Sequence, residues 1–202
     1  MQDAADALIE EMMEIYNKET ALVFNTLQMY RHDRLEYLKA LNVRALEKGF
    51  FIGMKVVRGA YMEKERERAE QKGYDSPICI DKRATDINFD AAVLYMMDRP
   101  NMALFAGTHN EHSTYLVMNW AKKYNISKTD KNLWFGQLYG MSDNISFNLS
   151  NAGYNVAKYL PFGPVKDVMP YLIRRAEENT SVAGQTSREL DLISAERKRR
   201  KA

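Results

Sequence analysis

A short predicted helix, residues 170–179 (PYLIRRAEEN), carries two adjacent arginines. With about 3.6 residues per turn, one face of this helix combines aromatic, cationic and acidic side chains: Tyr171, Arg174, Arg175 and Glu178. One interpretation is a solvated stripe with a weak ion pair between Arg174 and Glu178. The alternative is a bidentate clamp for a carboxylate or phosphate, which the planar guanidinium fork suits better than lysine does. The pattern alone favours the solvated stripe.

The segment KVVRGAY (55–61) places two cations in and after an apolar run. If Lys55 lies inside a buried strand, its ammonium must meet a partner or lose several kcal/mol of hydration. Arg58 ends the run, and Gly59 and Ala60 allow the backbone to approach a ligand closely. These features suit an anionic ligand or an electron-rich ring. The alternative is that Lys55 extends to solvent from an edge strand.

The histidines do not predict a metal site. Two of them, His109 and His112, lie in THNEH (108–112), but no further Cys, His or acidic residues follow at ligand spacing. Residues 108–110 are either a helix N-cap and turn or a strand end that contacts a ligand. The nucleophile pattern G-x-S-x-G is absent from the sequence.

Composition indicates a globular protein of one ordinary domain. The chain has 202 residues, 46% of them hydrophobic and 28% charged, and its net charge of +2 argues neither for nor against a nucleic-acid partner; we expect none. The basic end, AERKRRKA, is interpreted as a polar tail. A single cysteine fits a reducing compartment, and no apolar run approaches the roughly 18 residues of a membrane span. We therefore expect a cytoplasmic protein.

Five apolar, β-prone runs alternate with helical segments after a leading helix at 1–20. The runs are 21–30, 51–59, 102–110, 133–141 and 155–163. The helical segments lie near 31–49, 62–72 with 84–98, 111–124, 142–151 and 165–178. The βα units thus occupy 21–180, and a helix or tail follows at 181–202. Continuous apolar runs are typical of parallel strands buried on both faces, so we predict an α/β domain with a parallel sheet.

Two architectures fit this alternation, an open doubly wound sheet and a (β/α)8 TIM-type barrel. No strand is followed by the G-x-G-x-x-G fingerprint of dinucleotide-binding sheets. Polar residues instead follow the strand ends, where barrels carry their active sites; they are Gln28, Arg58, Thr108, His109, Gln137 and Tyr159. Five units do not close an eight-stranded barrel, so the barrel is incomplete or the sheet is open.

Five segments in order, KVVRGAY, AGTHN, FGQLYGM, KYLPFGP and YLIRRAEEN, resemble the proline dehydrogenase family. The resemblance runs from VFNTLQMY to RRAEENTS and is closest to the C-terminal portion of that family's catalytic barrel. It implies a distorted (β/α)8 barrel that holds FAD at the strand ends. The implied reaction oxidises L-proline to Δ1-pyrroline-5-carboxylate, the first step of proline catabolism toward L-glutamate, and passes electrons to a quinone.

The resemblance also implies residue roles. Arg174 and Arg175 would grip the proline carboxylate, and Glu178 would orient an arginine. Four side chains would wall the proline ring: Tyr61, Leu138, Tyr159 and Tyr171. Six residues would hold FAD: Gln28, Arg58, Gly59, Ala60, Thr108 and His109. Lys55 would lie near the flavin N5 atom, where a fixed positive charge favours the reduced, anionic flavin.

Two rival functions remain open beside this one. The first is a related flavin oxidoreductase that acts on hydroxyproline, and the second is a non-catalytic barrel fragment without flavin. Peripheral contact with the inner membrane is an alternative to a purely cytoplasmic location. An exposed first strand would be an aggregation liability. We therefore expect this chain alone to bind FAD poorly and to oxidise little proline.

Overall fold

Helices and strands alternate along the chain in the computed structural model, which describes the backbone of residues 2–181 and 185–201. Side chains are described for residues 4–173, 190–191 and 193–201. The five predicted strands and the helices between them are confirmed, with small shifts at their ends. In chain order the elements are α1 (Gln2–Tyr16), β1 (Phe24–Gln28), α2 (Arg34–Lys48), β2 (Ile52–Val57), α3 (Met62–Lys72), α4 (Lys82–Met97), β3 (Met102–Gly107), α5 (Glu111–Lys123), β4 (Leu133–Leu138), α6 (Asp143–Asn151), β5 (Val156–Tyr159), α7 (Val165–Ser181) and α8 (Gln185–Arg199).

The strands form one sheet in the order β1-β2-β3-β4-β5, with parallel pairing from β1 to β4. Crossovers between parallel strands are right-handed, so a sheet whose order never reverses carries its helices on one face. Contacts of α4 with α2, α5, β2 and β3 agree with this arrangement. The doubly wound alternative is wrong, because its strand order must reverse. The sheet is wound as in a (β/α)8 barrel, and its five strands do not close one.

The two faces of the sheet differ in burial. On the face that packs against the helices, Met54, Leu104 and Phe135 are buried in the main hydrophobic cluster. Their neighbours on the opposite face, Lys55 and Phe105, are only half-buried. The prediction of strands buried on both faces is therefore wrong within residues 1–158, because the helices of this part of the chain cover one face only. We call the other face the open face; β2 to β4 contribute Lys55, Val57, Phe105, Gly107, Trp134, Gly136 and Leu138 to it.

Lys55 lies in the interior of the sheet. Its strand pairs with β1 on one side, where Thr26 is its partner, and with β3 on the other, where Phe105 is its partner. The interpretation of Lys55 as an edge-strand lysine is therefore wrong.

Side chains at the helix ends explain where two of the helices begin. Asp81 accepts a hydrogen bond from the Ala84 amide at the start of α4, at 2.6 Å. Asn110 accepts one from the Ser113 amide at the start of α5, at 3.0 Å. Each supplies an acceptor to an otherwise unpaired amide of the first turn. The N-cap interpretation of residues 108–110 is thus realised by Asn110.

The chain divides into two compact units, Met1–Lys158 and Tyr159–Ala202. In the second unit, the rings of Tyr159 and Tyr171 pack edge to face with centroids 5.9 Å apart. The basic C-terminal segment is helical up to Arg199, whose guanidinium pairs with Glu196. None of the helices in the described ranges combines the length and hydropathy that spanning a bilayer requires.

Helix α1 is joined to α2 by ion pairs of very different burial. Arg34 donates to Asp6 at 2.6 Å, and both side chains are about 6% exposed. Asn25, on β1, donates to the same carboxylate at 2.9 Å. The pair between Lys48 and Glu14 is equally short, at 2.6 Å, but its side chains are 53% and 41% exposed. Only a buried pair leaves an uncompensated charge in the interior when one partner is removed.

We expect Arg34→Met to lower the free energy of unfolding by about 3 kcal/mol, since it leaves the Asp6 carboxylate buried without its cation. The matched variant Lys48→Met removes an exposed pair between the same two helices and should change it by less than about 1 kcal/mol. Urea denaturation followed by circular dichroism measures both. Equal losses for the two variants would contradict a special role of the buried pair.

Candidate active site

The carboxyl ends of β1 to β4 meet at one edge of the sheet, because the strands are parallel. Gln28 is in register with Val57, and Gly107 is in register with Gly136. Arg58 and Thr108 directly follow their strands. The structure thus brings the predicted residues of the first unit to the same edge, as the barrel prediction requires.

Arg58 turns toward the helices and is fully engaged there. Its Nε donates to Asp86 at 2.6 Å, its Nη1 to Thr108 Oγ1 at 3.1 Å, and its Nη2 to Ser113 Oγ at 2.8 Å. The guanidinium also stacks over Phe89, 4.5 Å from the ring centroid. Arg58 therefore ties the end of β2 to α4 and α5.

The partners of Arg58 were missed from the sequence. Asp86 follows Lys82 by four residues on α4, which indicates only a helical ion pair. Burial would raise the pKa of Asp86, but hydrogen bonds from Lys82 and Arg58 hold it below its usual value. A carboxylate that stays charged here keeps Arg58 in place.

The loop after Arg58 is pressed against Tyr30. Gly59 has φ +113°, and a Cβ there would lie 1.7 Å from two ring carbons of Tyr30. The Tyr30 hydroxyl bonds Glu65 at the start of α3 and reaches Gln28 Oε1 at 3.4 Å. Arg31 donates to the same Glu65 carboxylate at 2.8 Å. Burial, followed by Glu65, raises the pKa of Tyr30, so the hydroxyl keeps its proton.

This packing positions the predicted contacts of the loop. Between Tyr30 and α3, Gly59 is exposed, Ala60 is half-buried and Tyr61 is 38% exposed. The Tyr30 amide donates to the Arg58 carbonyl at 2.8 Å, which fixes where the loop begins. These residues lie beside the carboxyl end of β1, near Gln28.

The open face has a cation on a largely apolar floor. Burial lowers the pKa of Lys55, and its ammonium lies 5.8 Å from the centroid of the Phe105 ring. A Cβ on Gly107 would lie 2.9 Å from Val57 Cγ1 and 3.2 Å from Lys55 Cε. Gly107 therefore adds no side chain to the open face beside Lys55. Its contribution, and that of Gly136 beneath the Phe105 ring, was missed from the sequence.

His109 and Thr108 follow β3 and point to different partners. His109 Nδ1 lies 2.9 Å from Ser142 Oγ. Burial, followed by the positive charge of Lys158, lowers the pKa of His109 to about 4, so the imidazole is neutral near pH 7. The Thr108 hydroxyl accepts from Arg58, and its carbonyl accepts from Gln137 at 3.3 Å.

The remaining predicted residues lie on β4 and in the second unit. Leu138 ends β4 on the open face and is half-buried. In the second unit, Tyr159 and Tyr171 pack against each other edge to face. Helix α7 carries the predicted clamp, but three of its side chains lie outside the described residues: Arg174, Arg175 and Glu178. The clamp therefore stays a prediction.

A singly wound α/β sheet with polar residues gathered at its carboxyl edge defines a barrel-type enzyme scaffold. Comparison with known proteins identifies the family to which this scaffold belongs. The family model described as proline dehydrogenase matches residues 1–188. The chain belongs to the proline dehydrogenase family, which confirms the resemblance inferred from the sequence.

Named relatives support the same assignment. "Proline dehydrogenase 1, mitochondrial" of Caenorhabditis elegans is 40% identical over 206 residues, which cover 99% of this chain and 33% of that protein. "Hydroxyproline dehydrogenase" of Xenopus laevis is 39% identical over 207 residues, covering 99% of this chain and 44% of that protein. The chain thus spans less than half the length of either relative.

A solved structure confirms the fold. Proline utilization A (PutA) from Bdellovibrio bacteriovorus, inactivated by N-propargylglycine, superposes with a TM-score of 0.81 at 29% identity. The match covers 89% of this chain and 19% of the PutA chain.

The pKa of His109 predicts how stability depends on pH. Between about pH 4 and 6.5 the unfolded histidine binds a proton that the folded one does not, so the free energy of unfolding rises with pH across this window. We expect His109→Gln to reduce the slope of the free energy of unfolding against pH by the contribution of about one proton. Urea denaturation between about pH 4.5 and 7.5 measures it.

His112→Gln is the matched control, because His112 is exposed on the same segment. It should leave the slope nearly unchanged. An NMR titration in which the His109 imidazole protonates near its ordinary pKa of 6.5 would contradict the prediction.

Proposed function

We propose that this chain supplies flavin and substrate contacts of an enzyme that oxidises L-proline to Δ1-pyrroline-5-carboxylate with FAD. The observation that carries the proposal is Lys55, half-buried on the open face of a proline dehydrogenase-family sheet, two residues before the carboxyl end of β2. A cation at such a position attracts negative charge strongly, because the surrounding side chains exclude part of the water that would screen it.

The residues present fit FAD. A low, largely apolar floor with one lysine suits a flat ring system that becomes negatively charged when it is reduced. Gly59 is exposed beside it, and its lack of a Cβ lets the loop pack against Tyr30. We place seven residues around the cofactor, with Arg58 also securing the loop that follows it: Gln28, Lys55, Arg58, Gly59, Ala60, Thr108 and His109.

The chain's contribution to the reaction is positioning and charge. A bound FAD would supply the two-electron oxidation that removes a hydride from the proline Cδ. Lys55 would stabilise the negative charge that develops on the reduced ring system, as any preorganised cation does. The proline amine must lose its proton for the carbon–nitrogen double bond to form.

Substrate binding is assigned to the carboxylate and the ring separately. Arg174 and Arg175 would bind the carboxylate through their planar forks, with Glu178 orienting one of them. The ring would be enclosed by four side chains: Tyr61, Leu138, Tyr159 and Tyr171. Holding the ring in one orientation against the cofactor is itself a large part of catalysis, because it removes the entropy of approach.

Hydroxyproline is the second candidate substrate, because a 39% identical relative is named hydroxyproline dehydrogenase. Tyr159 would crowd a ring hydroxyl, so we expect proline to be the better substrate. Rates with L-proline and with trans-4-hydroxy-L-proline distinguish the two directly. The quinone acceptor, the inner-membrane contact and the cytoplasmic location stay predictions, and the Caenorhabditis elegans relative carries the word mitochondrial in its name.

Lys55→Met tests the proposed role of the open face. We expect it to weaken FAD binding about tenfold, because a desolvated charge contact is lost, and to slow flavin bleaching by L-proline. FAD titration followed by fluorescence quenching measures the affinity, and anaerobic absorbance spectra measure the bleaching. Both are carried out on the full-length gene product. Wild-type affinity is itself expected to be weak for these residues alone.

Lys64→Met is the matched control, because Lys64 is an exposed lysine on α3 and the charge change is the same. It should leave FAD affinity unchanged. Equal affinities for the wild type and Lys55→Met would contradict the flavin contact, and flavin that proline never bleaches would favour the non-catalytic alternative.

A further inference from the structure

The loop between β4 and α6, residues 139–142, has a backbone that needs support from outside. Gly140 has φ +74°, and Ser142 has φ +50°. A left-handed conformation is uncommon for a residue with a side chain, and it persists only where surrounding contacts impose it. Leu138, proposed to line the proline ring, directly precedes this loop. What holds the loop therefore also holds Leu138.

Lys158, on β5, supplies this support. Its Nζ donates to the Met141 carbonyl at 2.6 Å and to the Leu138 carbonyl at 3.3 Å. The same ammonium pairs with Asp143 Oδ1, in the first turn of α6, at 2.7 Å. Its side chain is 23% exposed, so these contacts are partly shielded from water. One ammonium thus connects the start of the loop, its end and the following helix.

A second contact fixes the loop from the neighbouring strand end. Ser142 is 4% exposed, and its hydroxyl lies 2.9 Å from His109 Nδ1. The Ser142 carbonyl accepts from the amides of Ile145 at 3.0 Å and Ser146 at 3.1 Å, in the first turn of α6. The loop is therefore held by β3 through His109 and by β5 through Lys158.

The contacts of Lys158 argue against a direct role in binding an anion. A lysine ammonium has three hydrogen-bond donors and no acceptor. Here three oxygens of the protein surround it: Leu138 O, Met141 O and Asp143 Oδ1. A carboxylate ligand would have to displace one of them.

We propose that Lys158 is a positioning residue that locks the β4–α6 loop and thereby fixes Leu138 at the carboxyl edge of the sheet. The effect on proline binding rests on the proposed function, because Leu138 lines the ring only if proline is the substrate. The effect of Lys158 on the loop itself does not depend on the proposed function. The two parts are therefore tested by separate measurements.

Hydrogen exchange tests the lock itself. Lys158→Met keeps the length of the side chain and removes all three contacts. We expect the amides of Met141 and Ile145, which donate to the Leu138 and Ser142 carbonyls, to exchange about tenfold faster. Because the charge of Lys158 lowers the pKa of His109, that imidazole should also titrate at higher pH in the variant.

Lys128→Met is the matched control, since Lys128 Nζ also donates to a backbone carbonyl, that of Ala152, at 3.0 Å. It should leave exchange in the loop unchanged. Lys158→Gln keeps an uncharged NH₂ group with two donors and decides the test if Lys158→Met does not fold; it should give a smaller acceleration. Unchanged exchange in the folded Lys158 variants, or equal acceleration in the control, would overturn the proposal.

Steady-state kinetics test the consequence for the substrate. With a displaced Leu138, we expect the KM for L-proline, measured at saturating FAD, to rise about fivefold in Lys158→Met. Lys158→Arg keeps the charge and should recover part of the loss. Accelerated exchange with an unchanged KM overturns the link to Leu138. Accelerated exchange in a protein that never oxidises proline supports the lock and contradicts the proposed function instead.

Discussion

The structure depends on the handedness of its crossovers. Each parallel strand is followed by a helix that returns along the same face, and each new strand is added on the same side of the previous one. Right-handed crossovers then place the helices of Met1–Lys158 together on one face of the sheet. The same constraint gathers every strand's carboxyl end at one edge. Lys55, Gln28, Thr108 and Leu138, far apart in the sequence, therefore belong to one surface.

Cations at the strand ends connect neighbouring βα units along that edge. Arg58, after β2, donates to residues of α4, α5 and the end of β3. Lys158, on β5, donates to the carbonyls at the end of β4. Both side chains are about 23% exposed, so their charge-assisted hydrogen bonds are partly screened by the protein from competing water. These hydrogen bonds connect each of these βα units to its neighbour along the edge.

Much of the fold could be predicted because its signals are local. Apolar runs and helical segments revealed the βα units, and the N-cap side chain of Asn110 lies within three residues of the Ser113 amide that donates to it. The contacts of Arg58 could not be predicted in this way. Its partners lie 28, 50 and 55 residues along the chain, and only the folded sheet brings them together. The position of Lys55 stayed open between the interior and the edge of the sheet for the same reason, since strand order is a non-local property.

The distinction between local and non-local information also separates the two halves of the proposed site. On α7 the helical repeat places Tyr171 and the predicted arginine pair on one face, which offers the clamp as an alternative to a solvated stripe, and the family resemblance favours the clamp. The flavin side has no such periodic signal. It consists of Lys55 on a floor kept low by Gly107, and of a loop pressed against Tyr30 by Gly59. A glycine has no side-chain chemistry that a sequence pattern could reveal. Its role can be recognised only when the structure shows which residues surround it. The substitutions that would block a flat ligand are therefore at residues that offer no reactive group.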